Sequence, residues 1–140
     1  MAGSASDFLE KKILDVYFGA TAYAAPATLY IALFTDTNTT TQRDAGTVTE
    51  VSGGSYARVA VTNNTTNWPN ASGTTATKAS GAAFTFPTPT GSWGTVTAFG
   101  IYDASTSGNL LVWGDLTATQ TISTGNTVSF ASGAISITLD

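Results

Sequence analysis

The sequence predicts a mainly β protein, an antiparallel β-sandwich or flattened barrel of about seven or eight strands with one N-terminal α-helix. Two observations support this fold class. Short apolar runs recur along the chain between turns rich in Gly, Asn and Ser, and only residues 7–18 place apolar side chains at helical spacing. A chain of 140 residues is long enough to bury one core. We therefore expect a single domain over residues 1–140, with the helix at about 7–18 and the sandwich over about 28–140.

The predicted helix has recognisable signals at both ends. Ser6 or Asp7 can cap its N-terminus, and Gly19 is placed to end it in a left-handed conformation. A helix of about three turns is marginal alone, so its apolar stripe should pack on the sheet or on a neighbouring subunit. That stripe consists of Leu9, Ile13, Val16 and Tyr17.

Two strands and two polar loops follow the helix. Residues 29–35 are apolar on both faces, which predicts a strand covered on both sides, and residues 56–62 alternate as a second strand. Residues 36–54 and 63–80 are rich in Thr, Asn and Gly, so we expect two surface loops that contact partners. Trp68 lies in the second loop, and we expect it outside the main core.

Residues 93–116 form the clearest motif of the chain, a β-hairpin. Two apolar runs face each other across a turn at 103–109 that is rich in Asp, Ser, Gly and Asn. Trp93 and Trp113 stand at its outer ends, where we expect them to lie near each other. The last strand should point Ile135, Ile137 and Leu139 inward. Further short strands are predicted at 83–86, 118–122, 128–130 and 135–139.

The composition argues against several classes of function. The net charge is −4 and the five Lys and Arg residues form no stripe, so nucleic acid is not an expected partner. No apolar run reaches 18 residues, so no membrane span is predicted. Charged residues make up only 10% of the chain, well below the usual quarter of a soluble domain. We expect a partner to bury part of the surface, and the protein to be a homo-oligomer.

The residues available for chemistry argue against an enzyme. The chain has no Cys and no His, which removes the commonest metal ligands and the usual general base. Its carboxylates are scattered, without a repeat typical of a Ca²⁺ loop, although Asp36, Asp44 and Asp103 leave Ca²⁺ binding open. We therefore predict no catalytic residues, no cofactor and no metal site.

Arg58 is predicted to form a structural ion pair. Alternation places this residue in the middle of a strand, where an unpaired guanidinium is costly if it is covered. A turn at 52–55 returns the chain and sets Glu50 beside Arg58, so Glu50 is the preferred partner. Two alternatives stay open: Asp115 as the partner, or an exposed Arg58 whose stem lies over apolar surface.

Four motifs and the N-terminal helix together suggest a family. They are YIALFT at 30–35, EVSGGSYAR at 50–58, FTFP at 84–87 and WGTVTAFGIYD at 93–103. The chain resembles a family of small tailed-bacteriophage virion proteins, often labelled tail fibre proteins, over nearly its whole length. The resemblance implies a non-enzymatic structural protein of the virion, whose partners are the major capsid protein or tail proteins.

The position on the particle is a separate prediction. A chain without repetitive shaft sequence favours a capsid decoration or cement protein that stabilises the particle surface, and a tail or tail-fibre component is the alternative. A carbohydrate-binding module is the second alternative, because Trp68 stands between Asn67 and Asn70 and an exposed ring there would stack on a glycan. The predicted interface residues are Leu9, Ile13, Tyr17 and Trp68.

Overall fold

A computed structural model describes residues 1–74 and 76–139, which leaves Thr75 and the last residue of the predicted domain, Asp140, outside. Within this part of the chain, nine strands and two helices form. The strands are β1 (Ala2–Ala5), β2 (Thr28–Phe34), β3 (Val59–Thr62), β4 (Thr77–Ala79), β5 (Phe84–Thr85), β6 (Gly94–Tyr102), β7 (Leu110–Ile122), β8 (Ser129–Phe130) and β9 (Ser136–Thr138). The helices are α1 (Asp7–Gly19) and α2 (Thr40–Asp44).

The predicted fold class is confirmed. Seven strands curl into a half-barrel in the order β3-β2-β6-β7-β1-β9-β4, and β5 pairs with β8 as a small second sheet. All pairings are antiparallel except the one between β1 and β9, which makes the large sheet mixed. No helix in the described residues is both long and apolar enough to span a membrane.

The predicted hairpin is formed by β6 and β7, but its tryptophans lie far apart. Gly100 pairs with Trp113, whereas Trp93 precedes Gly94, which pairs with Ile122 at the other end of the ladder. The expectation that Trp93 and Trp113 are neighbours is therefore wrong. Its cause is the length of β7, which continues for 13 residues and includes the stretch predicted as a separate strand at 118–122.

Strand β1 is the element that the sequence did not predict. It lies between β7 and β9 and consists only of Ala, Gly and Ser, residues that carry no strand signal. Close packing explains this composition. A Cβ atom on Gly3 would lie 2.8 Å from Val112 Cγ1, so a larger residue would push β1 away from β7.

The N-terminal helix forms as predicted, with a different last turn. Ser6 is the N-cap, since its hydroxyl accepts a hydrogen bond from the Leu9 amide and donates one to the Leu110 carbonyl. Gly19 is the last helical residue, and Ala20 adopts the left-handed conformation expected of Gly19. The prediction for Gly19 is therefore displaced by one position.

The core lies on both faces of the central strands. Ile31 and Leu33 of β2 belong to the larger apolar cluster, whereas Ala32 and Phe34 belong to a smaller cluster on the opposite face. This confirms that residues 29–35 are covered on both sides. Trp68 also lies in the larger cluster with only 2% of its surface exposed, so its predicted place outside the core is wrong.

The predicted loops contain more regular structure than their composition suggested. Helix α2 lies in residues 36–54, where Thr39 and Gln42 form a capping box, and β4 lies in residues 63–80. At the end of the chain, Ile135 is fully buried but Leu139 is 51% exposed. The predicted inward orientation therefore fails at Leu139.

Candidate assembly surface

Helix α1 presents large apolar side chains to solvent. Leu14, Tyr17 and Phe18 are 57%, 76% and 85% exposed, and none of the residues of α1 is fully buried. Their spacing of three and four residues places all three on one side of the helix. We call these three residues the α1 surface. Large apolar side chains rarely cluster on a surface that stays free in solution, and such a cluster marks a site of contact with a partner.

The opposite side of α1 holds the helix against the sheet. Phe8 and Leu9 pack on the larger apolar cluster, and the Phe8 ring lies edge-on to Tyr23 at 6.3 Å between centroids. The Lys12 ammonium lies 5.6 Å from the Phe8 ring and 6.0 Å from the Tyr23 ring. These contacts fix the orientation in which α1 presents its outer side.

An apolar groove of about 320 Å³ runs between α1 and the sheet. Three of the four predicted interface residues, Leu9, Ile13 and Trp68, line it, and Ile101, Leu111 and Val112 of the central hairpin line it as well. Tyr17 is not among the lining residues. The structure thus brings together residues that are about 60 positions apart in sequence.

Trp68 does not provide the exposed ring that glycan stacking requires. Its side chain is buried, and its indole N–H meets no acceptor in residues 1–74 and 76–139. The ring instead packs against Phe84, with 5.5 Å between the ring centroids. The feature that favoured a carbohydrate-binding module is therefore absent from this surface.

Arg58 pairs with Glu50, the partner preferred from the sequence. Arg58 Nε lies 2.9 Å from Glu50 Oε1 and Nη2 lies 2.7 Å from Oε2, which is a bidentate arrangement. The same guanidinium donates to the carbonyls of Ala104 and Ser107 at 2.8 Å. Asp115, the alternative partner, pairs with another residue.

Two tyrosines complete the surroundings of this ion pair. The Tyr56 hydroxyl donates to Glu50 Oε1 and accepts from the Leu33 amide, both at 2.9 Å. The Arg58 guanidinium lies 3.6 Å above the centre of the Tyr102 ring. Burial raises the pKa of the Tyr102 hydroxyl to about 12, although the Arg58 charge opposes the rise. The network joins β2, the 50–58 segment and the turn at 103–109.

Arg43 is the buried charge that the sequence analysis missed. Its Nε and Nη2 atoms lie 3.0 and 2.9 Å from Asp36 Oδ1, and Nη1 contacts Asp115 on β7. Asp36 also accepts from the Thr49 amide at 2.7 Å. Residues 36–54 are therefore tied back onto the sheet. The Thr39–Gln42 capping box was the sequence signal for α2, which positions Arg43.

No metal centre is apparent in this network. In the residues with described positions, no three His, Cys, Asp or Glu side chains lie together as metal ligands. Asp36 and Asp115 share the Arg43 guanidinium. Their carboxylates are thus already matched by a cation of the chain itself.

Comparison with known proteins identifies the class of the molecule as a bacteriophage virion structural protein, in agreement with the resemblance seen in its motifs. The matching family model is described as podophage GP4 fiber I protein gp80 and covers residues 4–138. The chain therefore belongs to this family and is a component of the virion. A search of curated proteins found no match.

Proposed function

We propose that the protein is a non-enzymatic structural subunit of the phage fibre, held in the virion through the α1 surface. The exposure of Leu14, Tyr17 and Phe18 is the observation that carries this proposal. Residues 13–18 of α1 are apolar except for Asp15, so this half of the helix has apolar side chains on its outer side as well as on the side that faces the sheet. The sheet covers one side, and a neighbouring virion subunit covers the other.

The energy available from this surface is sufficient for specific docking. Full burial of a Leu, Phe or comparable side chain contributes about 1.5 to 3 kcal/mol. Association has its own cost in lost translational and rotational freedom, so three anchors act as a hot spot within a larger contact. The three anchors themselves are apolar, as is expected of residues at the centre of an interface.

Capsid decoration is the second candidate position. The absence of repetitive shaft sequence favours it, because a globular subunit suits a lattice of many copies on a capsid. Copy number separates the two positions. Hundreds of copies per particle support decoration, whereas a few or a dozen support a fibre attached to the tail.

A substitution experiment on the α1 surface tests the proposed function. Phe18→Ser and Leu14→Ser, supplied to phage that lack the natural gene, are expected to reduce incorporation into particles by about tenfold or more, which is a loss of about 1.4 kcal/mol. Quantitative mass spectrometry of purified particles measures the copy number relative to the major capsid protein. Both side chains are exposed, so the thermal unfolding of the free variants should match that of the unmodified chain.

Leu139→Ser is the matched control for these variants. It makes a similar apolar-to-polar change at a side chain that is 51% exposed and lines the groove beside α1 but does not belong to the α1 surface. Its incorporation should equal that of the unmodified protein. Normal incorporation of both α1 variants would refute the proposed function, and equal loss in the control would show a general effect of surface polarity.

A further inference from the structure

We infer that the α1 surface binds the α1 surface of a second copy of this chain, with the two helices antiparallel about a twofold axis. The inference rests on the proposed function and names the partner of the same surface. It depends on the arrangement of charged residues around Leu14 and Phe18.

Charged residues are concentrated on α1. This helix holds five of the fourteen charged residues of a chain that is otherwise poor in charge, and three of the five are acidic. Lys11, Leu14, Asp15 and Phe18 are spaced by three and four residues, so they form one continuous stripe along the helix. Asp7 lies one turn before Lys11 on the same stripe, so this helix face carries one cation, two anions and two apolar anchors.

Lys11 and Asp15 form no salt bridge with any residue whose position the structure describes. The neighbouring Lys12, in contrast, places its ammonium group against the rings of Phe8 and Tyr23. Two unpaired charges of opposite sign at the edge of an apolar patch fit a partner that offers the same two charges in reverse order.

An antiparallel copy of α1 provides that reverse order. With the twofold axis at the level of Ile13, Lys11 of each copy stands opposite Asp15 of the other, and the ion pair forms twice. If the partner helix is displaced along its axis by one residue, it moves by only about 1.5 Å, and the flexible Lys11 side chain still reaches Asp15 of the other copy. A twofold interface of this kind uses the same patch on both subunits.

This arrangement also covers the exposed anchors. Leu14 lies within one residue of the axis, so the Leu14 side chains of both copies meet at the centre of the contact. Phe18 and Tyr17 lie one turn away and pack along the first turn of the opposite helix. The most exposed apolar side chains of the described chain are then removed from water.

Charge exchange between two variants tests the inference. Lys11→Glu places two carboxylates on one copy, and Asp15→Lys places two ammonium groups on another. Each variant alone should dimerise at least about tenfold more weakly than the unmodified chain, because like charges face each other twice. An equimolar mixture of the two should form a heterodimer at least as tightly as the unmodified dimer. Sedimentation equilibrium of the full chain measures all three dissociation constants.

The mixing experiment distinguishes ion pairs between two copies from ion pairs within one copy. In either single variant positions 11 and 15 carry the same sign, so no pair within one helix accounts for recovery on mixing. Phe18→Ser should be monomeric, and its thermal unfolding should match that of the unmodified chain diluted below its dimer dissociation constant. A monomeric unmodified chain, or a mixture no tighter than its components, would overturn the inference. If the unmodified chain proves monomeric and Phe18→Ser nevertheless fails to enter particles, the proposed function stands and only the second copy as partner is refuted.

Discussion

Arg58 directly precedes β3 and does not lie in the middle of a strand as predicted, yet its charge is covered and well tolerated. Its guanidinium satisfies both oxygens of Glu50, two backbone carbonyls and the face of the Tyr102 ring. The side chain of Arg58 is only 7% exposed and that of Glu50 24% exposed, so solvent screens this pair weakly. The pair therefore fixes the 50–58 segment on the sheet.

Breaking this pair should reduce stability strongly. We expect Arg58→Met to lower the free energy of unfolding by on the order of 3 kcal/mol, because it leaves the Glu50 carboxylate without its cation. Glu50→Gln should cost less, since Arg58 keeps the carbonyls of Ala104 and Ser107 as acceptors. Urea unfolding of both single variants and the double variant measures the coupling. Small additive losses would show that the two residues do not interact in solution.

The distance between partners in sequence decided which residues could be predicted. Glu50 and Arg58 are joined by a short turn, so local pattern alone placed them together. Arg43 has a partner on β7, 72 residues further along, and Trp68 packs on strands that fold back from distant positions. No local spacing indicates such contacts. The burial of Asp36 and Arg43, which lie in a Thr-rich and Asn-rich segment, could therefore not be predicted from the sequence.

Helix α2 is a short element whose position depends on tertiary contacts. Five residues are too few for a stable isolated helix. The capping box supports the first turn of α2, and the Arg43 ion pairs connect the helix to Asp36 and to Asp115 on β7. The Trp113 indole N–H donates to Asp44 Oδ1 at 2.7 Å and attaches the end of α2 to the same strand. One guanidinium and one indole thus attach α2 to β7.

Arg43→Met should destabilise the chain and release this segment. The substitution leaves the buried Asp36 carboxylate without its cation, and we expect a loss of about 3 to 5 kcal/mol together with faster proteolysis within residues 36–54. Thr39→Ala is the matched control, because it removes only the helix cap and should cost about 1 kcal/mol. Equal losses in the two variants would contradict a central role for Arg43.

Elements with a strong period were predicted, and elements without one were not. Helix α1, strand β2 and the central hairpin follow from apolar spacing that is independent of their neighbours. Strand β1 has no side chain larger than Ser, and it exists because β7 and β9 leave a narrow space between them. The length of β7 depends on its pairing with β6 rather than on its own Thr-rich second half.

At the scale of the whole molecule, the fold class and the virion role followed from the sequence. Regular turns and the single amphipathic segment indicated a mainly β domain with one helix, and the motifs indicated the phage family. The candidate surface followed only in part. Its helix was expected to use Leu9 and Ile13, but these line the groove under α1, whereas Leu14 and Phe18 are the exposed anchors.

The most direct test of the central claim is to measure the solvent access of the α1 surface before and after assembly. Hydroxyl-radical footprinting of free protein and of purified particles reports oxidation of Tyr17 and Phe18, with Leu139 as the comparator outside α1. In free protein diluted below its dimer dissociation constant we predict strong labelling of both aromatic rings, with several-fold protection in particles and similar labelling of Leu139 in both states. Equal labelling of Tyr17 and Phe18 in the two states would contradict the claim that the α1 surface is covered in the virion.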